Sequence, residues 1–110
     1  MLRMTMSRAA SGLLRALFDR AGCSRDRILL SEIRSVDWFS RTLAGERHSV
    51  SLRFPGPDAE ATAGRFVEGL EDAEFAIPGQ IVADIGLAGA PLVASDGSVT
   101  LAIEALTVLE

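Results

Sequence analysis

The sequence predicts an α+β fold, with two helices on one face of a four-stranded antiparallel sheet and the element order α-β-β-α-β-β. Three observations carry it. Residues 10–21 and again 59–70 place apolar side chains at helical spacing. Four other segments, "RILLSEIRSVDWFSRT", "RHSVSLRF", "GQIVADIGLAG" and "GSVTLAIEALTVL", read as strands bounded by turn residues. Each helix has a single apolar stripe, which needs a sheet face to cover it. The ferredoxin-like order is β-α-β-β-α-β, and moving its first strand to the end gives the order seen here. A circularly permuted ferredoxin-like sandwich over residues 1–110 is therefore the expected architecture, with 1–6 as a disordered start.

The first helix presents Ala10, Leu13, Leu14, Leu17, Phe18 and Ala21 on one stripe. Ser7 is suited to cap its start and Gly22 to stop it in the left-handed conformation. The stretch "MLRMTMSRAASGLLRALFDRAG" imitates an Arg-rich transit peptide, but Arg15 splits its apolar centre, so a secretory signal is not expected. All eleven basic residues are Arg, and Ala and Gly are abundant. That usage points to a GC-rich bacterial genome and a cytoplasmic protein, with the true start open among Met1, Met4 and Met6.

In the first strand, Glu32 and Arg34 break the parity set by Ile28 and Leu30 before them and Val36 and Trp38 after. A bulge between Ser31 and Ser35 accounts for the break. The following turn is expected at Thr42 to Gly45, with Gly45 left-handed. That register pairs Trp38 with Val50 and Val36 with Leu52, and sets Trp38 in the core with Asp37 facing away from His48. His48 then lies at the rim, beside Ser40. The second helix starts near Pro57, with Asp58 and Glu60 favoured by its dipole and Ala59, Ala63, Phe66, Val67 and Leu70 buried. Gly64 and Gly69 weaken it and suggest a close approach of the sheet.

Composition excludes more than it assigns. Residues 1–27 hold six arginines against two acids, a charge of +4, while the remainder holds five against thirteen, −8. An acidic body is a poor nucleic-acid surface, which leaves only the first helix for an acidic partner. Cys23 is alone, so an intramolecular disulfide and a Cys-based metal site are excluded. No apolar run reaches the ~18 residues of a membrane span. "FAIPGQIVAD" holds a Pro-Gly turn rather than a phosphate loop, and no cofactor is expected. A metal site needs convergent ligands, and the chain has one His. A triad drawn from Ser40, His48 and Asp37 fails in the expected register.

The last strand carries Val99, Leu101, Ile103 and Ala105 on one face and Ala102, Leu106 and Val108 on the other. A sheet covered on one side alternates apolar with polar, so the second face is expected to be covered too. The runs "SEIRSVDWFSRTLAGERHSV" and "FAIPGQIVADIGL" resemble segments of small bacterial proteins with no assigned activity, a resemblance over residues 30–110 that implies no site residues. The expected function is a non-enzymatic module that self-associates through its sheet, as a homodimer. The alternative is a small-molecule-binding or catalytic domain with a pocket between sheet and partner chain, lined by Glu32, Trp38, His48, Asp84 and Glu104.

Overall fold

Helix α1, Arg8–Ala21, buries most of the stripe its spacing predicts: Ala10, Leu13, Leu14 and Leu17 are buried, as is Ala9, while Phe18 and Ala21 are half-buried. Ser7 caps it, its Oγ accepting from the Ala10 N–H at 3.0 Å, and Gly22 ends it at φ 65°. These assignments come from a computed structural model that describes residues 6–22 and 27–110. The readings placed on Met1, Met4 and Cys23, and on residues 1–5 of the expected disordered start, lie outside the described residues.

Strands β1 (Leu29–Phe39) and β2 (Ala44–Phe54) form the hairpin. Helix α2 follows over Ala59–Val67, then a single 3-10 turn, Leu70–Asp72. Strands β3 (Gln80–Leu87), β4 (Leu92–Val93) and β5 (Val99–Leu109) complete the chain. The sheet is antiparallel throughout, in the order β1-β2-β5-β3, with β4 paired to the start of β5. Over the described residues the fold is thus α+β with two helices and five strands. The loop expected between the last two strands contains β4, the fifth strand the sequence did not announce.

Both helices lie on the same face of the sheet. Val50, Leu52 and Phe54 of β2 meet Leu101, Ile103 and Ala105 of β5, Ile85 of β3 and the stripes of α1 and α2 in one core. At ~25 cal/mol per Å² of apolar area removed from water, this cluster is the main source of stability. Arg20 near the end of α1 fastens α2: its Nε donates to the Phe66 carbonyl at 3.0 Å and its Nη2 to the Glu68 carbonyl at 2.6 Å. The same guanidinium lies 5.8 Å from the Phe66 ring centroid, so one side chain satisfies the helix end and packs on it.

The hairpin register departs from the expected one. Phe39 pairs with Ala44, Trp38 with Gly45 and Val36 with Arg47. The turn is Ser40–Leu43, closed by the Ser40 N–H to the Leu43 carbonyl at 2.9 Å. The bulge is present between Leu30 and Glu32, where Ser31 is the extra residue. It lets Ile28, Leu30 and Ile33 all join Leu52 and Val50 on the helix-covered face. Trp38 and Val36 are thereby turned to the opposite face, and Asp37 to the same face as His48. Gly45 is strand rather than turn: a Cβ there would collide with the Thr107 carbonyl and come within 2.9 Å of Val108 Cα. The turn moves upstream because Gly45 is required where β2 and β5 crowd backbone on backbone.

Helix α2 stops at Val67 with Glu68 extended as its C-cap, and Gly69, left-handed at φ 70°, opens the 3-10 turn that buries Leu70. Gly64 has nothing within 4 Å of where a Cβ would stand, so no close sheet approach explains it. A second bulge, between Val82 and Asp84, bends β3.

Candidate functional site on the open face of the sheet

The face opposite the helices is read row by row from the pairings. At the hairpin end, Trp38, Gly45, Val108 and Ile81 stand side by side across β1, β2, β5 and β3. Next come Val36, Arg47, Leu106 and Asp84, then Arg34, Ser49, Glu104 and Gly86. Glu32, Ser51 and Ala102 follow, and the far row begins Leu29, Arg53 and Thr100. The face is therefore apolar at one end and charged in the middle.

The apolar end is a band across all four strands. Val108 is buried and Trp38 and Leu106 are half-buried, whereas Val36 is 56% exposed and Ile81 48%. Chain geometry explains why Trp38 settles here. Gly45 beside it has no side chain, so the indole has room to cover the neighbouring backbone, as aromatic residues do beside strand glycines. A large apolar band on a sheet face is the kind of surface that interaction sites use.

In the two middle rows the charges sort by strand, Glu32 one row further along β1 being the exception. Arg34 and Arg47 lie on β1 and β2, while Glu104 and Asp84 lie on β5 and β3. Glu71 of the 3-10 turn reaches the β3 edge, its Oε1 3.3 Å from where a Gly86 Cβ would be. With Asp72, Asp84, Gly86 and Glu104 it lines an open hollow of about 450 Å³. Among the described residues no group of three His, Cys, Asp or Glu side chains is arranged to hold a metal ion.

Four of the five residues singled out in the sequence share this face: Glu32, Trp38, Asp84 and Glu104. His48 does not. It is on the helix-covered face and 0% exposed, correcting its expected place at the rim. Its Nδ1 lies 2.7 Å from Ser35 Oγ and its Nε2 2.8 Å from Thr107 Oγ1, so the ring ties β1, β2 and β5 together. A neutral imidazole has one donor and one acceptor, and hydroxyls can serve either. Burial lowers the His48 pKa, partly opposed by the nearby Glu46 carboxylate. Glu46 in turn accepts from the Ser7 hydroxyl at 2.7 Å, which pins the start of α1 over this row.

Ser35, His48 and Thr107 have the spacing of a nucleophile, a base and an orienting group. Their chemistry points elsewhere. A depressed pKa makes the imidazole a weaker base, and Thr107 offers it a neutral hydroxyl where a carboxylate would stabilise an imidazolium. The triad drawn from Ser40, His48 and Asp37 is not assembled either. Ser40 Oγ accepts from the Leu43 N–H at 3.0 Å within the turn, although Asp37 does share the His48 face.

Ser35 and Thr107 escaped the sequence reading because only the correct register brings them to His48. A further hollow of about 270 Å³ between α2 and the β4–β5 ribbon, lined by Ala63, Gly64, Val67, Val93 and Leu101, was hidden by the unrecognised β4. No protein-family model matches the chain, and no curated protein does.

Proposed function

We propose that the protein is a small non-enzymatic module that self-associates, as a homodimer, through the open face of its sheet. The band formed by Trp38, Val36, Leu106, Val108 and Ile81 is the observation that carries this reading. A solvated sheet face shows polar residues at these positions. Covering the band removes apolar area from water, which drives association. A second copy suits the face because its middle carries both signs of charge, so it offers a complement to itself.

The strand order supports the finer architectural reading, a ferredoxin-like plait with its first strand moved to the end. Such a plait, relabelled in the chain's own order, runs β1-β2-β5-β3, with β4 as an addition beside the start of β5.

Sedimentation velocity over a wide concentration range tests the proposal. The wild-type protein should sediment as a dimer and Trp38→Arg as a folded monomer with a cooperative thermal transition. A wild-type protein that stays monomeric up to millimolar concentration overturns it.

A further inference from the structure

The charge pattern fixes more than the fact of contact. Two copies can stack these faces about a two-fold axis running either along the strands or across them. An axis across the strands sets each strand against its own kind, bringing Arg34 and Arg47 onto the same arginines of the second copy and Asp84 and Glu104 onto the same acids. An axis along the strands, passing between β2 and β5, exchanges the two halves. It sets β1 over the second copy's β3, and β2 over its β5.

We infer that the homodimer is built on the axis along the strands, which lays the half of the face bearing Arg34 and Arg47 over the half bearing Asp84 and Glu104 of the other copy, Arg34 over Gly86 and Arg47 over Leu106 with the acids as diagonal neighbours. This rests on the self-association proposed above. Among the described residues none of these four side chains has an ion-pair partner, the two salt bridges being Arg27–Asp58 and Arg53–Asp96. Stacked sheets lie about 10 Å apart, a gap that long arginine side chains cross. The Glu71 carboxylate at the edge of the same half adds to the acidity that Arg34 meets.

The hairpin-end row agrees with this axis. Trp38 comes over the second copy's Ile81, so the apolar hairpin-end row of one copy meets the same row of the other. The helices are left on the two outer surfaces, giving four layers in the order helix, sheet, sheet, helix. Charge complementarity of this kind sets register and excludes the wrong mate, because like charges brought together cost several kcal/mol.

The test uses two charge-reversed proteins, Arg34→Glu with Arg47→Glu, and Asp84→Arg with Glu104→Arg. The charges in the two middle rows of their open faces become all acidic in the first and all basic in the second. Each alone should associate at least about a hundredfold more weakly than wild type at low ionic strength, and an equimolar mixture should recover a 1:1 dimer by native mass spectrometry. Thermal unfolding reports that both variants fold. The axis is overturned if either variant pairs with itself as tightly as wild type, or if the mixture stays monomeric. If Trp38→Arg still abolishes the dimer in that case, association through this face stands and only the axis falls. A wild-type monomer at all concentrations removes both.

Discussion

His48 Nε2 and Thr107 Oγ1 lie 2.8 Å apart in a part of the core where both residues are wholly buried. With Ser35 at the other ring nitrogen, the contact spans three strands and is fully satisfied. A satisfied polar link of this kind specifies strand register, since a slip of one residue would strand the imidazole without partners.

Stability should fall as the solution is acidified through this residue. The folded-state pKa of His48 lies below its ordinary value of 6.5 because burial disfavours the charged ring. The unfolded chain therefore takes up the proton first. The contribution is fully present above pH 6.5 and is lost as pH drops through 6.5 towards the lowered folded value. Urea denaturation between pH 7.5 and 5 should show the decline, and His48→Ala should remove that component while costing about 2–4 kcal/mol at pH 7.5. A profile unchanged by the substitution contradicts the assignment.

Two glycines should respond to alanine with opposite signs. Gly45→Ala drives a methyl group into the β5 backbone at Thr107, and a loss of about 2–3 kcal/mol is expected. Gly64→Ala, on a helix and facing open space, should gain about 0.5–1 kcal/mol. Denaturant midpoints of the two variants give the comparison directly.

Arg20 should matter through its geometry as much as its charge. Arg20→Lys keeps the charge but cannot reach the Phe66 and Glu68 carbonyls with two donors while lying against the ring. Most of the roughly 1 kcal/mol expected for Arg20→Ala should be lost with lysine as well. Faster hydrogen exchange over 66–72 would mark the loosened end of α2.

The turn before β5 depends on one carboxylate. Asp96 accepts from the Ser98 hydroxyl at 2.6 Å and its backbone N–H at 2.9 Å, while Arg53 lies 3.1 Å from its second oxygen. The Ser98 bonds, first, and then Arg53 hold its pKa below the ordinary 3.8. The stabilisation is thus present above the unfolded value and disappears as pH falls through the lower folded one. Asp96→Asn should flatten the acid-side exchange profile of the Ser98 amide without altering β5 itself.

Elements with a single periodic signal were legible in the sequence. Helix α1, with Ser7 and Gly22 at its ends, follows from spacing and cap chemistry alone. So does the bulge, because Glu32 and Arg34 interrupt a strand of otherwise regular parity. The hairpin register was not legible. Gly45 is compatible with a turn, and only the neighbouring β5 backbone makes a strand glycine necessary there. That one ambiguity moved Trp38 to the wrong face and His48 to the rim. Four acids and aromatics of the open face could be named from the sequence, but their common face is a property of pairings between distant strands. The two-residue β4 is too short to leave any period at all.

The two long outer strands each carry an extra residue, Ser31 in β1 and Ala83 in β3, and β4 on the β3 side is only two residues long. Kinks of this sort spoil the row of backbone donors and acceptors that an exposed edge would offer to another chain. Growth by adding strand to strand, the route to filaments, is thereby discouraged at either end of the sheet. A pairing of flat faces uses up both surfaces at once and stops at two. The same interruptions that bend the sheet thus favour a finite particle over an open-ended polymer.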